Sequence, residues 1–329
     1  MTSIQASLPQ AFHDRLGDLK GWLDSLVARG PDGPPKPAES GALERHFRGL
    51  WEATGMDATI GLSRSTPDHR LFRSAVGPYL WQSPLVQRCF EKPRGYAGDY
   101  LMMDAACNEP PEAASPIGRW MNRWFYEAFP PSPAARSRRD MMAGILAAEH
   151  RRGARRVLNV ACGGVPELVR ISRTTALFND IVLLDQDAEA LAFANASLKA
   201  KCPEIEASTR ITTLNLPVQA VVRSPEVIGP ARFDVIYSMG LYDYLPDPRA
   251  RKLTATLWKA LAPGGLLAIG NFHGHGWWRY VLEAAMEWFL VYRNEDELAA
   301  LAADLPDASH VDVACDATGS LFMLLARKQ

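Results

Sequence analysis

The chain has 329 residues, which is long enough for one large domain or two ordinary ones. Hydrophobic residues make up 47% and charged residues 22%, proportions that indicate a soluble globular protein with a buried core. The formal net charge is −1, so no overall positive field favours nucleic acid or an anionic membrane surface as a partner.

The amino-terminal residues and the cysteines predict a cytoplasmic protein. The stretch MTSIQASLPQAFHDRL lacks the basic start and the apolar run of a signal peptide. No apolar run approaches the roughly 20 residues of a membrane span. The five cysteines are odd in number and form no CxxC pair, which argues against a disulfide framework and against a zinc site. We therefore expect a reducing compartment and no bound metal.

Residues 1–150 show helical periodicity that prolines and glycines interrupt. A loop is predicted at 30–41, and further helices are predicted over 42–55, 68–92, 94–107, 115–129 and 134–150. We expect these residues to form an N-terminal helical cap domain. In its first helix the apolar positions recur at spacings of three and four and predict one buried face: Phe12, Leu16, Leu19, Trp22, Leu23 and Leu26.

Residues 151–329 alternate between strand and helix patterns. The alternation predicts an α/β fold with a parallel, doubly wound, Rossmann-like sheet. Strands are predicted at 155–162, 181–185, 210–216, 233–240, 265–272, 311–315 and 320–327. Helices are predicted at 166–175, 188–201, 248–262 and 276–292.

The main ligand-binding pattern lies at the end of the first predicted strand. In VLNVACGGVPEL, residues 157–168, two glycines permit a tight turn with close ligand approach, and Pro166 suits the first turn of a helix. The second predicted strand ends at Asp185, whose carboxylate can accept hydrogen bonds from both hydroxyls of a ribose. Together these features predict a nucleoside site at the carboxyl ends of the strands.

The loop favours S-adenosylmethionine (SAM) over a dinucleotide. A dinucleotide loop requires GxGxxG, whereas the spacing here matches the D-x-G-x-G-x-G loop of class I SAM enzymes. Three positions depart from that pattern, with Asn159 for the acid, Ala161 for the first glycine and Val165 for the third. We expect the loop and the end of the second strand to supply SAM contacts from Asn159, Ala161, Cys162, Gly163, Asp185 and Gln186.

Two later segments resemble class I methyltransferases. FDVIYSMGLYDYL is similar to their fourth strand, and LAPGGLLAIGNF is similar to their fifth strand with the Pro-Gly-Gly turn before it. The resemblance implies that Asp185 holds the ribose and that Asn215 and Leu216 lie by the adenine. It also implies a methionine side formed by Ser238, Met239 and Gly240.

Further segments resemble a bacterial subfamily, the extracellular-factor or 3-hydroxypalmitic-acid-methyl-ester biosynthesis methyltransferases. They are KPRGYAGDYLMMD at 92–104, GLYDYLPD at 240–247 and NF…R…MEWFLVYR at 271–293. The layout is also similar to the azetidine-2-carboxylate synthases, which cyclise SAM and release methylthioadenosine. The motifs do not separate these two groups.

Several side chains are candidates for the chemistry. The polar loop RGYAGDY, with Tyr96, Asp99 and Tyr100, is either part of a cap over the cofactor or a surface loop with packed tyrosines. Trp120, Trp124 and Phe125 form either a core or a ring face against the SAM sulfonium.

Other candidates lie nearer the predicted sheet. Arg139 is either a bidentate ligand of the methionine carboxylate or a surface arginine. Tyr242 and Asp243 follow the fourth strand, where they would contact the methionine amine or an acceptor. His273 is either a general base or a loop histidine, and Cys162 is expected to be an apolar filler rather than a nucleophile.

Two reactions fit these expectations. The first is methyl transfer from SAM to a small carboxylate or amine acceptor. The second is attack of the SAM amine on its own γ-carbon, which closes a four-membered ring. A SAM-binding sensor without catalysis remains open, while the incomplete glycine pattern disfavours a nicotinamide oxidoreductase. We expect a small-molecule substrate and a monomer or homodimer.

Overall fold

The computed structural model describes residues 9–31, 33–55, 66–172, 178–203, 208–229 and 232–329. Residues 1–8 of the stretch that argued against a signal peptide, and 173–175 of a predicted helix, lie outside these ranges. Two compact units divide the chain, a helical unit of Met1–Pro133 with Gly274–Phe289 and a sheet unit of Ala134–His273 with Leu290–Gln329. The division differs from the boundary expected at 150, because the helix predicted over 134–150 groups with the sheet.

The described helices and strands alternate from the eighth to the seventeenth element, after which a further helix and then two strands follow. In chain order they are α1 (Gln10–Arg29), α2 (Pro37–Thr54), α3 (Pro67–Leu80), α4 (Pro84–Glu91), α5 (Tyr100–Cys107), α6 (Pro116–Glu127), α7 (Pro131–Arg151), β1 (Arg156–Val160), α8 (Pro166–Ser172), β2 (Asp180–Asp185), α9 (Ala188–Lys201), β3 (Arg210–Asn215), α10 (Val218–Arg223), β4 (Phe233–Ser238), α11 (Asp247–Lys259), β5 (Leu261–Phe272), α12 (Trp278–Met286), α13 (Glu295–Ala299), β6 (Ala308–Cys315) and β7 (Leu321–Lys328).

Local end signals correct the predicted helix bounds in the helical unit. The helix α2 begins at Pro37, inside the predicted loop, because the Lys36 N–H donates to Glu39 in a capping box. The segment 68–92 divides into α3 and α4, because a new helix begins at Pro84. The Ser83 hydroxyl caps this helix by accepting the Val86 N–H. The predicted face of α1 is buried, with Trp22 half-buried and five side chains buried: Phe12, Leu16, Leu19, Leu23 and Leu26.

The helix α12 returns to the helical unit from the later part of the chain. It ends at Met286 rather than continuing to 292, because Glu287 adopts the left-handed conformation with φ 48°. Every residue of α12 is buried. Arg73 and Trp81 donate to the carbonyls of Ala284 and Ala285 at 3.1 and 3.0 Å, which fixes α12 against the α3 region.

The described residues of the sheet unit form a seven-stranded sheet in the order β3-β2-β1-β4-β5-β7-β6. The five strands β1 to β5 pair in parallel, whereas β7 runs antiparallel to both β5 and β6. This arrangement confirms the predicted α/β class and the Rossmann-like sheet, in which five of the seven described strands are parallel. Among the described residues, no helix combines the length and apolar character that crossing a membrane requires.

Candidate functional site

The strand order reverses between β1 and β4. From β1 the chain moves outwards through β2 and β3, and it then continues with β4 on the other side of β1. In open α/β sheets the loops that leave such neighbouring strands diverge and open a crevice at the carboxyl ends. The loop after β1 and the GLYDYL segment after β4, residues 240–245, both lie at this carboxyl edge of the sheet.

The loop after β1 has a strained backbone. Ala161 and Val165 have φ angles of 56° and 50°, and Gly163 has 53°. The left-handed region is costly for residues with a Cβ, and most of all for a β-branched one. These are the three glycine positions of the SAM loop pattern, so the chain keeps a glycine-type backbone at the two positions where it lacks glycine. Strain of this kind concentrates at functional sites.

Asp185 closes the same edge from the end of β2. Its Oδ2 accepts the Gly163 N–H and its Oδ1 accepts the Asp187 N–H, both at 3.0 Å. Burial raises the pKa of this carboxyl, which is 5% exposed, while the backbone donors lower it. Each carboxylate oxygen accepts more than one hydrogen bond, so Asp185 retains capacity for ribose hydroxyls.

The ends of β2 and β3 are tied together by Asn215. Its amide donates to the carbonyls of Asp185 and Gln186 at 3.2 and 3.0 Å. The Leu216 N–H also donates to the Asp185 carbonyl at 3.0 Å. The Asp185 side of the carboxyl edge is therefore bordered by Asn215, Leu216 and the exposed Gln186.

An arginine lies at the end of β4, and it is Arg138 rather than Arg139. The Arg138 Nη1 donates to the Met239 carbonyl at 2.7 Å and lies 3.9 Å from Asp243 Oδ2. A Cβ on Gly240 would lie 3.6 Å from the same nitrogen. Ser238 donates to the Val160 carbonyl at 2.8 Å, which joins β4 to β1.

Arg138 keeps most of its hydrogen-bonding capacity unused. It is 5% exposed and its guanidinium stacks 5.5 Å from the Phe272 ring. Across the described ranges, the Met239 carbonyl is its one hydrogen-bond acceptor. A guanidinium carries five N–H donors, so Arg138 can still bind a carboxylate through two of them.

The sequence analysis named Arg139 as a candidate ligand of the methionine carboxylate and did not name the adjacent Arg138. The Arg139 Nε donates to Asp140 Oδ1 at 2.9 Å. A signal for Arg138 was present in the helical spacing, because Arg138 precedes the buried Met142 and Leu146 by four and eight residues on one face of α7.

A second group that the sequence prediction missed is Glu167 in α8. Asn159 and Tyr237 are register partners on β1 and β4, and both donate to its Oε1, at 3.0 and 2.6 Å. Asn159 therefore does not present its amide freely to a ligand in this structure. Burial raises the pKa of Glu167 to about 7, although Tyr237, Arg138 and Asn159 act in the opposite direction.

The raised pKa of Glu167 predicts a pH-dependent stability. The unfolded carboxyl titrates near 4.5 and the folded one near 7, so the folded state holds the proton longer. The free energy of unfolding should fall by about 1.4 kcal/mol per pH unit between these values and level off above them. The charged and titratable groups facing Glu167 are Arg138, Tyr237 and Cys162.

Urea unfolding of the wild type and E167Q from pH 4.5 to pH 8 measures this slope. The free energy of unfolding of E167Q minus that of the wild type should increase steadily as the pH rises. Parallel curves would show that the folded and unfolded pKa values of Glu167 are the same.

In the GLYDYL segment, Tyr242 lies in the core and Asp243 lies at the carboxyl edge of the sheet. Tyr242 is fully buried in the core, where its hydroxyl lies 3.0 Å from Thr254 Oγ1, and burial raises its pKa. Asp243 faces Arg138, and its Oδ1 accepts the Phe272 N–H at 2.7 Å. Burial raises the pKa of Asp243 to about 7 against the opposing effect of Arg138. The Asp243 side chain is therefore the member of this segment placed at the edge.

Two other candidate residues of the sheet unit, His273 and Cys162, make contacts that support the fold. The His273 N–H donates to the Ser320 carbonyl at 2.9 Å, and its ring meets Phe322 edge-on at 4.8 Å. Cys162 is 5% exposed and burial raises its pKa well above the ordinary value, which agrees with a filler and disfavours a thiolate.

In the helical unit, Asp99 is the N-cap of α5. Its Oδ1 accepts the Met102 N–H and the Arg88 Nε, both at 2.9 Å, and Oδ2 lies 2.8 Å from Arg88 Nη2. Tyr100 is buried below the Arg94 guanidinium at 5.6 Å, and Tyr96 is half-buried. These contacts give Asp99 a structural role as a helix cap and ion-pair partner, and its catalytic assignment stays a prediction.

The aromatic residues of α6 pack into the helical unit. Trp120, Trp124 and Phe125 are 1%, 1% and 0% exposed. Trp124 contacts Phe47 at 5.6 Å and Trp277 at 6.3 Å between ring centroids. Their burial matches the core interpretation of the two that the sequence allowed.

Within the described ranges, no three His, Cys, Asp or Glu side chains come together as a metal-binding group. Instead, Asp185 and Glu167 lie beside the strained loop after β1, and Arg138 and Asp243 lie at the end of β4. Such an edge is suited to an organic ligand that combines hydroxyl and charged groups.

A scan against protein-family models found no match, and a search of curated proteins found none either. Among solved structures, a possible exported protein from Bordetella parapertussis is similar over 99% of this chain and 99% of its own, with 19% identity and a TM-score of 0.62. This similarity shows that the whole fold recurs in another protein.

Two methyltransferase structures are more distant. The SAM-dependent methyltransferase SibL in its apo form covers 97% of this chain and 96% of its own, with 16% identity and a TM-score of 0.47. The N-methyltransferase NodS from Bradyrhizobium japonicum WM9, in complex with S-adenosyl-L-homocysteine (SAH), covers 60% of this chain and 88% of its own, with 16% identity and a TM-score of 0.42.

Proposed function

We propose that the protein is a SAM-using enzyme of small-molecule metabolism that transfers the methyl group to a small carboxylate or amine acceptor. One observation carries the proposal. The loop after β1 holds three residues in the left-handed conformation beside Asp185, at the point where the strand order reverses. A backbone of this shape lets a ligand approach closely, and the adjacent carboxylate is suited to its ribose.

The residues at the edge fit the parts of SAM. Asp185 would hold the ribose, and Asn215, Leu216 and Gln186 would border the adenine. On the methionine side, the unused guanidinium donors of Arg138 would hold the carboxylate, beside Ser238, Met239 and Gly240. Arg138 thus takes the role that the sequence prediction gave to Arg139.

When bound, SAM supplies a sulfonium leaving group, so the protein mainly orients the acceptor and excludes water. Asp243 and His273 lie on the segments that follow β4 and β5, and we propose that they face the acceptor. Tyr96 and Tyr100 belong to the helical unit, and their assignment as catalytic residues stays a prediction. Tyr242 supports GLYDYL from the core, because its hydroxyl bonds with Thr254.

Cyclisation of SAM is the second candidate, and Asp243 favours it. That reaction requires a neutral amine, and a carboxyl whose pKa is raised to about 7 is suited to accept the ammonium proton near neutral pH. The free pair of electrons on nitrogen would form the N–Cγ bond as the Cγ–S bond breaks, with methylthioadenosine leaving.

We propose that the reaction takes place in the cytoplasm. The five cysteines, Cys89, Cys107, Cys162, Cys202 and Cys315, are odd in number and form no CxxC pair. This pattern is typical of a reducing compartment rather than of a disulfide framework.

A product assay tests the function. The protein is incubated with SAM alone and with panels of small carboxylates and amines, and products are identified by mass spectrometry. SAH that appears only with an acceptor is the expected result. A sample without protein is the control, since SAM slowly releases methylthioadenosine by itself.

The other outcomes separate the alternatives. Methylthioadenosine with azetidine-2-carboxylate from SAM alone would establish cyclisation. Binding of SAM without either product would indicate a sensor. If calorimetry detects no binding of SAM or SAH, the proposed function is wrong.

A further inference from the structure

Glu167 contains a buried oxygen without a partner. The side chain is fully buried, and its Oε1 accepts hydrogen bonds from Asn159 and Tyr237. Its Oε2 is buried and has no hydrogen-bond partner among the described residues. An unsatisfied carboxylate oxygen is costly in a protein interior, so it requires an explanation.

The surroundings of Glu167 orient it firmly. Asn159 and Tyr237 lie opposite each other on adjacent parallel strands, so both donors approach the same oxygen from the sheet. Glu167 also follows the strained loop residue Val165 by two positions. The arrangement holds one carboxylate oxygen in place and leaves Oε2 without a side-chain donor among the described residues.

The charge pattern around Glu167 indicates which donor fits Oε2. Arg138 lies close enough to lower the pKa of Glu167, and it retains free N–H donors. A carboxylate with a free acceptor beside an arginine with free donors matches the ammonium and carboxylate of an α-amino acid. The SAM loop pattern carries an acid at position 159, where this chain has an asparagine, and an amide cannot neutralise an ammonium.

We propose that Glu167 binds the ammonium group at the amino-acid end of the ligand, with Asn159 and Tyr237 as positioning residues. The inference rests on the proposed SAM site and extends it. The Glu167 carboxylate on α8 thereby supplies the negative charge that Asn159 on β1 lacks.

Two ligands that differ only in the amino group isolate this contact. One is SAH, and the other is its deamino analogue, in which a hydrogen replaces the amino group and the carboxylate is kept. Their dissociation constants are measured by calorimetry at pH 8 for the wild type and for E167Q. This glutamine preserves the shape of the side chain.

The wild type should bind SAH about tenfold or more tightly than the deamino analogue, because a hydrogen bond between charged groups is lost. In E167Q the preference should fall to about twofold or less, with the affinity for the deamino analogue nearly unchanged. The loss of preference is the coupling between Glu167 and the ammonium.

The remaining outcomes overturn the inference in distinguishable ways. If E167Q weakens both ligands equally, Glu167 has only a structural role and the SAM site stands. An absence of any wild-type preference also excludes the ammonium contact. If the wild type binds neither ligand, the proposed function fails together with the inference. Should E167Q not fold, Glu167→Met replaces it, because methionine is similar in length and removes the charge, and an undiminished preference in that variant contradicts the proposal.

Discussion

Replacing Arg293 with methionine is expected to lower the free energy of unfolding by about 3–5 kcal/mol. Arg293 is 2% exposed and holds the GLYDYL segment to the sheet. Its Nη1 donates to the Tyr242 carbonyl at 2.9 Å and to Asn271 Oδ1 at 2.6 Å, while Nη2 donates to the Leu245 carbonyl at 2.6 Å. Methionine fills part of the volume but leaves these buried acceptors without donors.

Chemical denaturation followed by circular dichroism measures the loss. Arg152→Met is the matched control, because Arg152 is 63% exposed and its Nε lies 3.9 Å from Glu149, so its removal should change stability little. A loss below about 1 kcal/mol in Arg293→Met would show that other donors satisfy the carbonyls.

Replacing Arg138 with methionine is expected to weaken SAH binding about 100-fold. The variant removes the guanidinium that we assign to the ligand carboxylate, and loss of a buried charged partner costs several kcal/mol. It also removes the cation that lowers the pKa of both Glu167 and Asp243. Methylthioadenosine lacks the carboxylate, so its affinity should change much less.

Arg139→Met is the matched control, since it changes the adjacent residue of the same helix to the same side chain. Calorimetry with SAH and methylthioadenosine should show a large effect in Arg138→Met alone. A larger loss in Arg139→Met would restore the sequence-based assignment and contradict the structural one.

The local patterns of the sequence predicted the elements well and the long-range side-chain contacts poorly. Residues 188–201 are predicted as a helix and form α9 with those bounds, because the segment is rich in helix-forming alanine and leucine and Asp187 caps it directly before its first residue. By contrast, Tyr242 and Asp243 are neighbours whose surroundings depend on Thr254 and Arg138, from two other elements.

The sequence by itself determined the α/β class, the glycine-type loop and Asp185, since short-range spacing defines a strand, a turn and the residue that ends the next strand. Only the tertiary structure decided that Arg138 rather than Arg139 reaches β4 and that Glu167 lies against Asn159 and Tyr237. Those contacts join residues far apart along the chain, so they follow from helix rotation and strand register. Spacing along one segment indicates which face of a helix is buried, as it does for Arg138, but it does not indicate which residues of another element that face contacts.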